Sequence, residues 1–206
     1  MLVAGAGGHA LECFDILAQK ALPDLLEFFD DITTEQMVLQ KYAIIREFNR
    51  VESHFAKDPR FILAVGNPRY RVLFYEKFIR AGGSMVNLLG FQNTISPFAQ
   101  FEGADIFNHC FIGSQVLVGK GTLVNTGAQV HHEVQVGEFC EISPRAVILG
   151  AAKIGNQTRI GANATILPKI KIGNLVIIGA GSVITKDVPD NVTMVGVPGR
   201  IIKNKN

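Results

Sequence analysis

The sequence predicts a small α/β domain followed by a parallel β-helix, and three observations support this prediction. Residues 1–85 alternate strand-like and helix-like segments that are separated by glycine-rich turns. From about residue 95 the pattern changes, and an isoleucine or valine recurs at every sixth position from 112 to 184 without a gap. Only 18% of the 206 residues are charged although 48% are hydrophobic, which fits a coil-rich β architecture or extensive burial between subunits. We therefore place the two domains at residues 1–85 and 86–206.

The first domain combines short apolar strands with amphipathic helices. Apolar residues at helical spacing follow the glycine-rich segment GAGGH, and the pair Gly82-Gly83 ends a later helix. The predicted strands cover residues 1–4, 26–29 and 61–65, and the predicted helices cover residues 10–19 and 69–81. Residues 32–60 give no clear assignment. Strand, turn and helix in alternation predict a small parallel sheet, a Rossmann-like half domain.

The six-residue repeat of the second domain fits neither helical periodicity nor the simple alternation of a strand. Repeats of this length are typical of a parallel β-helix, in which each hexad forms one face of a triangular prism and three hexads make one coil. The aliphatic residue points inward, and each coil pairs with the next at about 4.8 Å. The fifth hexad position also faces inward, so Cys110 and Cys140 are expected in the core.

Residues that are one coil apart should lie above one another. By this register His132 lies between Ser114 and Gly150, and Glu141 lies close enough to Arg159 for an ion pair. His132 occupies the third position of its hexad, which faces outward. The register therefore predicts an exposed imidazole that lies one coil from a bare glycine backbone.

Six segments that extend over both domains match one known family. They are GAGGHA at 5–10, FFDD at 28–31, AVGNPRYR at 64–71, VNTGAQVHHE at 124–133, VGEFCEISPRAVILG at 136–150 and KDVPDNVTMVGVPGRII at 186–202. With these segments the chain resembles the bacterial NeuD/PglD-type sugar acyltransferases. The resemblance implies left-handed coiling of the β-helix and a homotrimer with active sites between neighbouring subunits. It also implies that the α/β domain binds a nucleotide-linked sugar, that the β-helix binds acetyl-CoA, and that no metal takes part.

The activity that the resemblance implies is N-acetylation. An acetyl group would pass from acetyl-CoA to the 4-amino group of a 4-amino-4,6-dideoxy sugar linked to UDP, dTDP or GDP, for bacterial surface glycans such as the O-antigen of lipopolysaccharide. O-acetylation of sialic acid or of another sugar hydroxyl is the first alternative. A zinc-dependent hydratase is a second one, although His109, His131 and His132 do not share a column. A nucleotide-sensing or NAD-binding protein that uses GAGGHA with Asp30 or Asp31 is a third.

The chemistry of acetyl transfer requires a proton acceptor and a donor for an oxyanion. A neutral imidazole accepts a proton from an amine near neutral pH. The resemblance assigns the base to His132, the acidic residue that orients it to Glu133, and the oxyanion donor to the N–H of Gly150. The alternative is a surface His–Glu pair without a function. His131 is expected at the rim of the site.

The remaining site residues are assigned by the resemblance and by their place in the predicted elements, such as Asp30 and Asp31 at the end of the second strand. The predicted sugar-nucleotide residues are Gly7, Gly8, His9, Asp30, Asp31, Asn67 and Asn125. The predicted acetyl-CoA residues are Glu141, Gly150, Ala162, Ala180 and Lys186. One departure is Glu141, because several relatives have a histidine there and an ionised carboxylate cannot donate a hydrogen bond. Either Glu141 pairs with Arg159, or the acyl donor is contacted differently.

Composition limits the compartment and the partners. There is no apolar run of about 18 residues, and the first residues lack a basic segment before an apolar one. The three cysteines are scattered and odd in number, which is typical of a reducing compartment. The net charge of +2 comes without the lysine and arginine clusters of nucleic-acid binding proteins, apart from a short basic tail at 200–205. We expect a cytoplasmic enzyme that contacts neither membrane nor nucleic acid.

Overall fold

The computed structural model describes residues 1–204, which form two compact units. The first unit comprises Met1–Gly66 and Tyr70–Leu88, and the second comprises Asn67–Arg69 and the chain from Leu89 onward. In the described part of the chain, no helix is long and apolar enough to cross a membrane.

The first unit is a mostly parallel sheet with three helices. Its elements are β1 (Leu2–Ala4), α1 (Gly8–Ala18), β2 (Glu27–Phe29), β3 (Met37–Val38), β4 (Tyr42–Ile45), α2 (Asn49–Phe55), β5 (Arg60–Leu63), α3 (Pro68–Arg80) and β6 (Ser84–Met85). The strand order is β3-β4-β2-β1-β5-β6, and only β3 runs antiparallel to its neighbour. The prediction of a small Rossmann-like sheet is confirmed. The unassigned region 32–60 contributes β3, β4 and α2.

Aromatic rings form the core of the first unit. Phe78 of α3 makes edge-to-face contacts with Phe29, Phe55 and Phe61, with ring centroids 5.2–5.5 Å apart. Such pairs contribute about 0.5–1.5 kcal/mol each beyond the burial of their area. The cluster joins α2 and α3 to the central strands, and it therefore fixes the strand ends from which the candidate pocket is built.

The second unit is a β-helix of two-residue strands. Its strands are β7 (Thr94–Ile95), β8 (Asp105–Ile106), β9 (Phe111–Ile112), β10 (Leu117–Val118), β11 (Leu123–Val124), β12 (Gln129–Val130), β13 (Gln135–Val136), β14 (Glu141–Ile142), β15 (Val147–Ile148), β16 (Lys153–Ile154), β17 (Arg159–Ile160), β18 (Thr165–Ile166), β19 (Lys171–Ile172), β20 (Ile177–Ile178), β21 (Val183–Ile184), β22 (Val192–Val195) and β23 (Arg200–Asn204). All pairs between β7 and β22 are parallel, and only β23 pairs antiparallel, with β22. The predicted parallel β-helix is therefore confirmed.

The strands form three faces of a prism. Face 1 has the order β8-β11-β14-β17-β20-β22-β23, face 2 has β7-β9-β12-β15-β18-β21, and face 3 has β10-β13-β16-β19. The partners Gln129↔Val147 and Glu141↔Arg159 are eighteen residues apart, as the three-hexad coil requires. We call the turn from face 1 to face 2 the first corner and the turn from face 2 to face 3 the second corner.

The repeated aliphatic residues form the core of the prism. All thirteen, from Ile112 to Ile184, are at most 5% exposed. Cys110 and Cys140 at the fifth hexad position are also buried, and burial raises the pKa of the Cys110 thiol to about 11 and that of the Cys140 thiol to about 12. Both thiols therefore pack as small apolar side chains, as the hexad pattern predicted.

Each corner contains one residue in the left-handed region of backbone space. From Gly103 to Gly181 a positive φ recurs at every sixth residue, at four glycines and ten other residues. Glu133 is one of these residues, with φ of 60°. A residue with a Cβ adopts this conformation at a cost of roughly 1–2 kcal/mol, so the packed faces must hold every corner in place.

Removing one aliphatic side chain from a buried column should lower the stability of the prism strongly. We predict that Ile160→Ala, which leaves a cavity in a fully buried column, lowers the free energy of unfolding by about 2–5 kcal/mol. The exposed Gln135→Ala on face 3 should change it by less than about 0.5 kcal/mol. Denaturant unfolding at one protein concentration measures both values, and similar losses in the two variants would contradict the assignment of the core.

Candidate functional site

His132 lies on the outside of the second corner. The flanking Val130 and Val134 are fully buried, whereas the His132 side chain is 64% exposed. Its Nδ1 lies 3.0 Å from Oε2 of Glu133. With the proton on Nδ1 donated to this carboxylate, Nε2 keeps its lone pair and accepts a proton from a substrate. The neighbouring His131 instead packs against Phe111, with ring centroids 5.3 Å apart.

Gly150 lies one coil from His132, directly against its ring. A Cβ built on Gly150 would lie 2.5 Å from Nε2 of His132, so any side chain at 150 would displace the imidazole. The N–H of Ala151 donates to the carbonyl of His132 at 2.9 Å, which fixes the two coils in this register. Within residues 1–204, no hydrogen bond uses the N–H of Gly150. Gly150 therefore leaves room for the imidazole of His132, and its own backbone N–H is, within the described chain, an unused donor on the adjacent coil.

The column of His132 continues along the second corner. The register of β12, β15, β18 and β21 stacks His132, Gly150, Pro168 and Lys186. Lys186 is exposed at the far end of this column. An anionic group three coils from the imidazole would therefore meet a cation.

A groove follows face 1 and the first corner. It has a volume of ≈ 350 Å³ and is lined by Glu141, Ser143, Pro144, Arg159, Gly161, Ala162, Ile177, Ile178, Gly179 and Ala180. Three predicted acetyl-CoA residues, Glu141, Ala162 and Ala180, line this one groove. Asn125 lies at the same corner, stacked below Ser143, and its Oδ1 accepts the N–H of Thr126 at 2.7 Å.

The predicted acyl-donor residues thus divide between two corners of the prism. Gly150 and Lys186 belong to the second corner with His132, whereas Ala162 and Ala180 belong to the first. Face 2 separates the two corners within one chain. The eighteen-residue register contains this division, because Gly150 and Ala162 are twelve residues apart rather than a whole coil, but the matched motifs alone did not reveal it.

The carboxyl ends of the parallel strands in the first unit border a cavity of ≈ 370 Å³. It is lined by Gly5, Asp30, Asp31, Ile32, Val65, Tyr70, Leu73 and Phe74. Ligands of open parallel sheets bind at this edge. The sequence predicted Asp30 and Asp31 but missed the apolar wall of Ile32, Tyr70 and Leu73. Ile32 lies in the region without a predicted element, and nothing distinguished Tyr70 and Leu73 from the core of the helix predicted at 69–81.

The two aspartates after β2 have different contacts. Asp30 accepts three backbone N–H groups: Oδ2 bonds Ala6 at 3.1 Å, and Oδ1 bonds Ile32 and Thr33 at 2.9 Å each. Asp30 therefore holds the glycine-rich turn to the loop after β2, rather than presenting a free carboxylate. Asp31 is exposed and, among the described residues, forms no hydrogen bond or ion pair, so it is better suited to contact a ligand.

The glycine-rich turn leads into α1 without a side-chain cap. Gly5 has φ of 123°, and a Cβ there would lie 2.7 Å from the carbonyl oxygen of Ala64, so the fold itself requires this glycine. A Cβ on Gly7 or Gly8 would meet nothing within 4 Å. These two glycines therefore leave open space at a helix N-terminus, which suits an anion. His9, one residue further, contacts Glu12 at 3.1 Å through Nδ1.

Asn67 lies outside the cavity of the first unit. It groups with the second unit, and its Oδ1 accepts the N–H of Arg69 at 3.0 Å where α3 begins. The prediction that Asn67 completes the pocket with Asp30 and Asp31 is therefore not supported by the lining of that cavity. Among residues 1–204, no group of three or more histidines, cysteines or carboxylates is arranged to hold a metal ion.

Comparison with known proteins gives matches in both units. The family described as "PglD N-terminal domain" matches residues 1–78, and "Bacterial transferase hexapeptide (six repeats)" matches residues 151–186. The acetyltransferase domain of PglB from Neisseria gonorrhoeae FA1090, solved in complex with acetyl coenzyme A, is 30% identical, with 98% of each chain covered and a TM-score of 0.89. PerB from Caulobacter crescentus, solved with CoA and GDP-perosamine, is 26% identical, with 98% of this chain and 96% of that chain covered and a TM-score of 0.89.

The contact between Gly150 and His132 can be tested directly. We predict that Gly150→Ala displaces the His132 ring, because the added methyl group would overlap the imidazole, while the aliphatic core stays intact. Side-chain NMR resonances of His132 should shift, and those of the exposed His109 should not. Unchanged His132 resonances in a folded Gly150→Ala protein would show that the ring does not lie on residue 150.

Proposed function

Since the chain belongs to the NeuD/PglD-type family of hexapeptide-repeat sugar acyltransferases, we propose that it N-acetylates a nucleotide-linked amino sugar with acetyl-CoA. The main support is the likeness over the whole chain to an acetyltransferase domain solved with acetyl coenzyme A and to PerB solved with CoA and GDP-perosamine. The β-helix is the left-handed type of this family. A sugar with an amino group at C4 of a 4,6-dideoxy ring, carried by UDP, dTDP or GDP, is the acceptor that we propose.

In the proposed mechanism His132 acts as the general base. Oε2 of Glu133 accepts a hydrogen bond from Nδ1, which lies 3.0 Å away, and orients the ring, so Nε2 is left to take the proton from the attacking amine. A positioned base of this kind contributes about 10²- to 10⁴-fold to the rate. After the tetrahedral intermediate collapses, the proton held on Nε2 is available to the departing thiolate.

Gly150 is the proposed oxyanion donor. Negative charge develops on the thioester carbonyl oxygen when the amine attacks, and a backbone N–H that is already in place stabilises it without reorganisation. The absence of a Cβ lets the imidazole of His132 lie against the backbone of Gly150. Base and oxyanion donor would thus act from adjacent coils, the base on the proton of the attacking amine and the donor on the thioester carbonyl oxygen.

The complete site requires a second copy of the chain. His132 and the groove of Ala162 and Ala180 lie at different corners of one chain, so an acetyl-CoA molecule in the groove of one copy would present its acetyl group to His132 of a neighbouring copy. A homotrimer that packs the first corner of one copy against the second corner of the next would join them. Lys186 would then meet a phosphate of CoA, and Asn125 would line the same interface.

The acceptor nucleotide is proposed to bind in the first unit. The N-terminus of α1 at Gly7, Gly8 and His9 would bind the diphosphate, and Asp31 would bind a ribose or base. Tyr70 and Ile32 would form an apolar wall for the base. We place the enzyme in the cytoplasm, where acetyl-CoA and nucleotide sugars are available and where its three buried cysteines stay reduced.

Release of free CoA thiol gives the direct test of the reaction. We predict that UDP-, dTDP- or GDP-linked 4-amino sugars release thiol from acetyl-CoA and that His132→Asn lowers this rate by about 10²- to 10⁴-fold. The matched control is His109→Asn, another exposed histidine of the β-helix, which should keep the wild-type rate.

Two results would contradict the proposal. Turnover with sialic acid or other hydroxyl acceptors alone would favour the O-acetylation alternative. Near-normal turnover by a folded His132→Asn protein would remove His132 from the mechanism.

The role of Tyr70 can be measured by binding alone. We predict that Tyr70→Ala weakens binding of the preferred nucleoside diphosphate by roughly 5- to 100-fold, because stacking of a base on an aromatic ring contributes about 1–3 kcal/mol. Ile79→Ala, on the same helix and 42% exposed but outside the cavity, should leave binding unchanged. Titration calorimetry measures both, and equal affinities for wild type and Tyr70→Ala would place the base elsewhere.

A further inference from the structure

A buried carboxylate, that of Glu141, lies on the outer side of face 1. Glu141 precedes the inward-facing Ile142 and therefore points away from the prism core, yet it is only 5% exposed. Glu141 and Arg159 stack in one column of face 1. Leu123 lies one coil before Glu141, and Ile177 lies one coil after Arg159. An aliphatic pair at 141 and 159 would simply continue that column.

The free energy of burying such a pair does not explain its presence. A buried ion pair loses the hydration of both charges, and its replacement by apolar residues is often neutral or stabilising. Glu141 is the buried partner, with a side chain 6% exposed, whereas Arg159 is 49% exposed. The pair therefore fixes one charged group in the interior of the groove and presents the other to its opening.

The geometry orients the guanidinium of Arg159. Its Nε lies 2.8 Å from Oε2 of Glu141, and its Nη2 donates to Oε1 at 3.4 Å. The hydroxyl of Ser143 also donates to Oε1, at 3.1 Å. Arginine has five N–H groups, and the three that do not face Glu141 form no hydrogen bond within the described part of the chain. They are held, in a fixed plane, beside the same groove as Ala162 and Ala180.

We propose that Arg159 is the side-chain hydrogen-bond donor to a carbonyl oxygen of the acetyl-pantetheine arm, and that Glu141 and Ser143 are its positioning residues. This inference rests on the proposed function, because it assigns acetyl-CoA to the groove. Arg159 would be a specificity-determining residue one coil beyond Glu141. Glu141 itself cannot take this role, because an ionised carboxylate accepts hydrogen bonds but cannot donate them.

A carbonyl oxygen fits this donor better than a phosphate does. The charge of Arg159 is already compensated by Glu141, so little attraction remains for a dianion. The rest of the groove is lined mainly by small and aliphatic residues, which suits a thin, neutral arm. Because the N–H groups are pre-oriented, little rotamer entropy is lost when the carbonyl binds.

The exchange of the two charged residues separates this role from a structural one. The double variant Glu141→Arg with Arg159→Glu keeps the ion pair but moves the guanidinium by one coil, about 4.8 Å. We expect the thermal midpoint to stay near that of the wild type while the Kd and KM for acetyl-CoA rise by about 10- to 100-fold, the range for one hydrogen bond to a charged group. Restored stability together with wild-type affinity for acetyl-CoA would overturn the proposal.

A neutral double variant covers the case in which the exchanged pair does not fold. Glu141→Gln with Arg159→Met removes both charges, leaves no charge buried alone, and keeps a partner for Ser143. It should fold and lose the same factor in affinity. Lys171→Met, which removes an exposed cation from face 3, is the matched control and should bind acetyl-CoA as the wild type does.

Binding of two ligands, acetyl-CoA and S-acetylpantetheine, identifies the group that Arg159 contacts. It also tests this proposal separately from the proposed function. The loss of affinity should be the same for acetyl-CoA and for S-acetylpantetheine, which lacks the nucleotide. A loss confined to acetyl-CoA would assign Arg159 to a phosphate and overturn the proposal. If wild-type protein binds acetyl-CoA but acetylates no amino sugar, the proposed function fails. The Kd values of wild type and variants for acetyl-CoA, measured by calorimetry, still test Arg159.

Discussion

The structure depends on one constraint, the fixed length of eighteen residues for each coil of the prism. Parallel pairing between successive coils sets this length, and a positive φ at every sixth residue from Gly103 to Gly181 turns the chain at each corner. Since the coil length never varies there, position in the sequence determines both the corner and the height of each side chain. The contact between His132 and Gly150 is one consequence, and the pairing of Glu141 with Arg159 is another.

The same constraint supplies a rigid support for chemistry. Ten of the corner residues carry a Cβ in a conformation that disfavours it, and the buried isoleucine and valine columns hold them there. Glu133 is such a residue, and it is also the hydrogen-bond partner of His132. Side chains on backbone that is fixed on both sides lose little entropy when a substrate binds, so the proposed base and the proposed oxyanion donor would be in place before the reaction.

The sequence was most informative where one period governs both local structure and packing. The hexads predicted the inward columns, the burial of Cys140 and the alignment of His132 with Gly150, because a coil of constant length leaves no freedom. Prediction failed where tertiary contacts decide. The strands of two to four residues within 32–60 are too short for a periodic signal, and the backbone bonds of Asp30 depend on loops that come together only in the fold. The division of the proposed acyl-donor residues between two corners follows from the eighteen-residue coil, since Gly150 and Ala162 are twelve residues apart, but the matched motifs alone did not reveal it.

The most direct test of the central claim is a crystal structure of the protein with a non-hydrolysable acetyl-CoA analogue and a nucleotide-linked 4-amino sugar. The account predicts that the acyl carbonyl oxygen lies about 3 Å from the N–H of Gly150 and that the sugar nitrogen lies about 3 Å from Nε2 of His132 of the same chain. The pantetheine arm should follow the first-corner groove of a neighbouring copy. An acyl group bound away from the column of His132 and Gly150, with the His132 ring facing only solvent, would contradict the account.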